Sequence, residues 1–263
     1  MTAAELLRAG KLADALKALE NEVRAAPSVA KHRVFLFQLL CIIGQWDRAL
    51  TQLNVAADLD PANLLMAQVC RQALACEALR AEIFAGKRTP LILGEPQQWV
   101  GSMVQACEHD ATGEHAAAAA LRASALEAAP AVPGTVDDLP FEWIADADER
   151  LGPIVEAIID GRYYWIPFQN IKTLALDAPA DLRDLVWTPA TFMWANGGEA
   201  VGLIPARYPG SEASPDDAIR LARRTDWSQG PGPVCGLGQR LFATDAGEYP
   251  ILQVRRISLG QPA

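Results

Sequence analysis

Hydrophobic positions in the first half of the chain recur at helical spacing, whereas after Pro130 they come in short bursts. The run VFLFQLLCII over 34–43 is apolar nearly all round, which predicts a helix buried between neighbours rather than one lying on a surface. The stretch 63–85 is rich in Ala and Leu and free of Pro, and predicts a long helix closed by Gly86. Another helix is expected from about Gln97 to about His109, following Pro96.

These helices are organised by a repeat. Gly10 and Gly44 lie 34 residues apart, and so do Ala15 and Ala49, Leu16 and Leu50, Leu19 and Leu53, and Pro27 and Pro61. That is the length of a tetratricopeptide unit. A Gly at the turn lets two antiparallel helices meet, the Ala lets the second approach the first, and the Pro stops it. A weaker third copy, out of phase, runs through Gly113, Ala118 and Pro130. Such pairs cannot bury their apolar stripes singly, so residues 1–130 are expected to form one contiguous helical stack.

The stretch PAVPGTVDDLPFEW then reads as a linker. A helix is predicted over 146–160, capped by Asp146, with Ile154, Val155, Ile158 and Ile159 as its face and Gly161 at its end. Strands are predicted over 163–168, 172–177, 191–196 and 199–206, with a hairpin at Asn196-Gly197, where both residues tolerate positive φ. A helix from Ser214 to about Arg224 follows, and then strands near 237–243 and 249–257 flanking Asp245-Ala246-Gly247. The fold class is therefore multidomain α and β: an all-α tetratricopeptide-like domain over 1–130 and an α+β domain with a mainly antiparallel sheet over 135–263.

Charge narrows the partners. The chain of 263 residues carries −9, of which −2 falls in 1–130 and −7 in the remainder, so a phosphate backbone is repelled and nucleic acid is not expected. The five cysteines, an odd number set mostly in apolar stretches, read as buried thiols of a reducing interior. With no signal pattern at the N-terminus and no apolar run long enough for a bilayer, the expectation is a cytoplasmic protein that does not enter membranes.

Catalytic patterns are sparse. His32, His109 and His115 all precede Pro130, which leaves no Ser-His-Asp or Cys-His arrangement within the second half. Asp146-Ala147-Asp148-Glu149-Arg150 begins like a calcium loop, but Arg150 stands where an oxygen is needed and Leu151 where a Gly is required; a helix N-terminus is the simpler reading. Neither Gly236-Leu237-Gly238 nor Gly86-Lys87-Arg88-Thr89 completes a nucleotide-binding loop, so no cofactor is expected. Glu142 with Glu156 or Asp160 are the carboxylates available for glycoside chemistry, and nearby aromatics would stack on sugars. Tyr163, Tyr164 and Trp165 at strand spacing put two rings on one face and one on the other, for a core or for a partner.

Four strings carry a resemblance: 34–60 (VFLFQLLCIIGQWDRALTQLNVAADLD), 141–168 (FEWIADADERLGPIVEAIIDGRYYWIPF), 181–190 (DLRDLVWTPA) and 194–212 (WANGGEAVGLIPARYPGSE). The chain resembles the ImpE family, also called TagJ or SciE, over nearly its whole length; only the tail SLGQPA matches nothing of use. The resemblance implies an accessory protein of the bacterial type VI secretion system. It further implies binding to the N-terminal helix of the small sheath subunit, TssB/VipA, and a link to the AAA+ ATPase ClpV that recycles the sheath. No catalytic, cofactor or metal residues come with it. A helical stack offers a groove for such a helix, and Lys31, Phe35, Gln38 and Leu39 are expected to border it. The leading reading is a non-enzymatic adaptor; the alternative is a glycan-cleaving hydrolase using Glu142, Glu156 and Asp160.

Overall fold

The computed structural model describes residues 1–95 and 97–260. Pro96, expected to precede a helix, and residues 261–263 of the tail lie outside the described residues. The first part is helical: α1 (Ala3–Arg8), α2 (Leu12–Ala25), α3 (Ala30–Ile42), α4 (Trp46–Leu59), α5 (Leu64–Phe84), α6 (Gln98–Ala111) and α7 (His115–Ala128). Gly10 and Gly44, the paired glycines of the repeat, take φ of +73° and +70° in the turns between α1 and α2 and between α3 and α4. A side chain is strained there, so Gly is what permits each tight helical hairpin.

One large sheet takes up most of the rest. Among the described residues it has nine strands: β1 (Leu91–Ile92), β2 (Gly134–Val136), β3 (Leu139–Phe141), β5 (Ile154–Ile159), β6 (Arg162–Pro167), β7 (Ile171–Leu176), β8 (Trp187–Trp194), β9 (Glu199–Pro205) and β14 (Arg256–Leu259). Their order is β1-β6-β5-β9-β8-β7-β14-β2-β3, with neighbours antiparallel except for the parallel pair β1–β6. A smaller sheet joins β13 (Gly247–Pro250), β12 (Leu241–Thr244) and β4 (Ile144–Asp146), and β10 (Thr225–Trp227) pairs with β11 (Gly236–Gly238). The mainly antiparallel sheet and the hairpins at Asn196-Gly197 and around Ala246 are as expected.

One expected helix is absent and another is cut to a single turn. Residues 146–160 contribute β4, a loop and β5, and all six residues of β5 are buried. Ile154 and Ile158 join the cluster facing the helices, whereas Val155, Ala157 and Ile159 join the cluster on the opposite face. A strand covered on both sides is apolar without alternation, and over six residues it imitates a helical face. Gly161 does not end a helix: Asp160 and Gly161, with φ of +49° and +72°, form the two-residue turn from β5 to β6. The helix expected over 214–224 shrinks to the single turn α8 (Asp217–Arg220), capped by Asp216 and not by Ser214.

The helices lie on one face of this sheet and share its core. α5 crosses it, placing Phe84 against Trp165 of β6 at 5.8 Å between ring centroids, while Trp46 of α4 meets Trp187 of β8 at 6.2 Å. Tyr163 and Trp165 point into this shared layer and Tyr164 packs against the cluster on the far side, so all three rings of the aromatic burst serve the two cores.

Candidate functional site

α3 carries the expected groove residues, and the structure separates them. Phe35, half-buried, and Gln38 line an open groove of about 430 Å³. Its other walls are Ala4, Leu7 and Arg8 of α1 and the segment 179–185, which ends in a 3₁₀ turn, Leu182–Leu185. Leu39 has no exposed surface and is core, which corrects its placement on the groove; Lys31 is exposed but outside the lining. Leu182 and Leu185 of the 3₁₀ turn pack against the core to which Leu39 belongs. Those residues went unread in the sequence, although Asp181 and Asp184 form a capping box around the turn.

The three carboxylates of the hydrolase reading do not assemble. Glu142 and Asp160 are exposed on separate loops, whereas Glu156 of β5 has no exposed surface. It accepts from Arg80 of α5 through Nε at 2.5 Å and Nη2 at 3.0 Å, and also from the Tyr163 hydroxyl and from Arg240. Burial alone would raise its pKa, but the two guanidiniums outweigh burial and hold the carboxyl at about 2. An ion-paired carboxylate cut off from water has no proton to exchange with a substrate.

The network extends in both directions. Arg80 Nη2 also donates to the Arg207 carbonyl at 2.9 Å, and Trp187 Nε1 donates to Glu77 at 2.7 Å. Arg240 pairs with Asp146, whose carboxyl burial nevertheless pushes up to about 7. Asp148 takes the fork of Arg150 at 2.8 and 2.6 Å and the Gly236 N–H at 2.9 Å. Asp146 and Asp148 therefore bind arginines rather than beginning a helix. Among the described residues no three His, Cys, Asp or Glu side chains converge as metal ligands do.

Side chains of the second half also close helix ends of the first. Arg207 donates to the carbonyls of Ile42 at 2.8 Å and Cys41 at 3.2 Å, at the C-terminus of α3. Arg223 reaches the Leu7 carbonyl at the end of α1 at 3.1 Å, and Asp217 accepts the Leu12 N–H at the start of α2 at 3.1 Å. Cations at C-termini and a carboxylate at an N-terminus match the helix dipoles and satisfy backbone groups otherwise unpaired.

The molecule is thus a helical layer locked onto an antiparallel sheet, with its buried charges consumed internally and apolar grooves open at its surface. The chain belongs to the ImpE/TagJ family. The model of the ImpE protein family matches residues 138–258. The chain is 53% identical over 257 residues, covering 98% of it and 90% of the relative, to the type VI secretion system accessory component TagJ of Pseudomonas aeruginosa PAO1. Among solved structures it is similar to protein VPA1032 from Vibrio parahaemolyticus, with a TM-score of 0.87 and 27% identity over 99% of this chain and 98% of that one.

Proposed function

We propose that this protein is a non-enzymatic accessory component of a type VI secretion system that captures the N-terminal helix of the small sheath subunit, TssB/VipA, and modulates ClpV-linked recycling of the sheath. The observation that carries the reading is the 53% identity, over nearly the full length of both chains, to an accessory component of that system. In this reading residues 1–130 act as a tetratricopeptide-like scaffold, 135–263 form the ImpE-type α+β domain, and both work in the cytoplasm. Open grooves lined by apolar side chains suit an amphipathic helix, which binds through residues at i, i+3, i+4 and i+7. The pairing of Glu156 with two arginines speaks against the hydrolase alternative at that residue. The test is a titration of the full chain with a synthetic peptide of the sheath subunit's first helix, alongside capture of the intact subunit and of one lacking that helix. Saturable binding that disappears with the helix is expected. Undiminished capture of the helix-less subunit, with no peptide binding, would refute the reading.

A further inference from the structure

The end of α7 and the outer face of the small sheet enclose a cavity of about 440 Å³, a size typical of small-molecule sites. Leu126 and Pro130 form one wall and Trp143 another, and Ala145, Ala147 and Ala243 line the floor. Trp143, Ala145 and Ala147 alternate with the buried Ile144 and Asp146 along β4 and its flanks, and Ala145 pairs with Ala243. The floor is therefore one face of the sheet, built from small side chains. Trp143 is 40% exposed and Leu126 52%. An indole and a leucine left bare on two elements around one cavity converge on a common space, which scattered surface residues would not do.

Charge selects the ligand. Among the described residues the lining holds no Lys or Arg, and Arg150, next to it in the chain, is forked on Asp148 and lies over the Phe84 ring at 4.7 Å. Glu149 is in the lining, exposed and fixed in place. Its N–H donates to the Val234 carbonyl at 3.2 Å and its Oε2 accepts the Val234 N–H at 2.8 Å, while Oε1 takes no hydrogen bond among the described residues. Glu248 of β13 pairs with Ala243, so it stands on the face of the floor, and it too is exposed. Neither carboxylate has an ion-pair partner among the described residues. Glu149 follows β4 and Glu248 sits on β13, with β12 between them, so the two come from opposite margins of the floor. The helix adds to the bias: the last turn of α7 has no basic residue, and Pro130 has no N–H to give the Leu126 carbonyl. Its negative end therefore reaches the cavity with no cation of its own. We propose that this cavity binds an aliphatic diamine or polyamine, its methylene stem on the alanine floor between Trp143 and Leu126 and its ammonium groups at Glu149 and Glu248. The indole covers the stem and its face attracts an ammonium, while carboxylates at two margins favour a chain charged at both ends over a single-headed cation. The site is separate from the groove at Phe35 and Gln38 and does not depend on helix capture.

The test is calorimetry on the full chain with spermidine, set against octanediol as an uncharged chain of similar length and acetyl-lysyl-lysine amide as the same charge carried on a peptide. Spermidine is expected to bind saturably at a single site, and the other two at least about tenfold more weakly. Trp143→Ala and the double variant Glu149→Gln with Glu248→Gln alter exposed positions and should each cost about tenfold or more. Leu126→Arg, on a different element, puts a guanidinium into the cavity and should abolish binding, so a folding defect in one variant leaves the others informative. Glu199→Gln, an exposed carboxylate outside the lining, should leave affinity within about twofold. Equal affinity in wild type, Trp143→Ala and Leu126→Arg would mean that spermidine adsorbs to the net charge of −9, and overturns the proposal. A wild-type chain that takes up no spermidine at millimolar concentration in low salt overturns it as well. Octanediol binding as tightly as spermidine reduces the cavity to an apolar slot and overturns the choice of a cation. The peptide binding in place of spermidine assigns the cavity to the lysines of another chain, which also overturns the proposal.

Discussion

Replacing Glu156 with Gln removes the one negative charge shared by Arg80 and Arg240 at the junction of helices and sheet. The side chain has no exposed surface and receives hydrogen bonds from both arginines and from Tyr163. In the variant two guanidiniums remain buried, one of them without a full counter-charge, and the amide turns an NH₂ toward groups that are themselves donors. Breaking a buried ion pair on one side costs about 3–5 kcal/mol. That is a large share of the roughly 5–15 kcal/mol by which domains are stable. With a urea slope near about 3 kcal/mol/M, the midpoint should fall by about 1–1.7 M. The assay is urea unfolding followed by tryptophan fluorescence, since Trp165 and Trp187 both lie in the shared core. Glu142→Gln, at an exposed carboxylate, is the control and should stay within about 0.5 kcal/mol of wild type. An E156Q midpoint within about 0.2 M of wild type would refute the claim that this ion-pair cluster holds the two layers together.

Three further outcomes follow from the contacts between the two halves and within the buried charge cluster. Asp146 is pushed by burial from its ordinary 3.8 up to about 7, so the folded state keeps a proton that the unfolded chain has lost between those values. The stability it contributes is complete below about pH 4 and is lost as pH rises through about 7; Asp146→Asn should flatten that part of a melting-temperature profile, and an unchanged slope would contradict the assignment. Glu156 acts in the opposite sense: held at about 2 against an ordinary 4.5, its contribution is present above 4.5 and lost as pH falls toward 2. Asp217→Ala deletes the cap on the Leu12 N–H and should cost about 1 kcal/mol, or about 2–4 °C in melting temperature, with faster amide exchange in the first turn of α2. Equal exchange in variant and wild type would show that the cap contributes nothing.

Most helices of the first half were legible because six of the seven run for 13 residues or more, and Gly10, Gly44, Gly86 and Gly113, all at positive φ, mark four of their ends. The strands from Arg162 to Pro205 were legible for the parallel reason, since short β-branched and aromatic bursts are separated by turn residues. β5 was misread because a strand buried on both faces has no polar side to reveal its period of two. The hint that remained was Asp160-Gly161, a hairpin turn read as a helix end. On α3, Phe35 and Gln38 border a groove whose other wall comes more than a hundred residues later in the chain, and Leu39 is core.

The pairing of Arg80 with Glu156 spans 76 residues and that of Arg240 with Asp146 spans 94. Local pattern determines what a segment can become, because period, turn chemistry and capping act over a few neighbours. The sequence by itself therefore determined most of the helices of the first half, most of the strands and the family resemblance. Tertiary structure alone decided which charges neutralise one another, which helix ends Arg207, Asp217 and Arg223 close, and which apolar side chains stay exposed beside α5. Those outcomes depend on which distant segments meet, and burial turns an ordinary acidic or basic residue into a lock only once its partner has been brought to it.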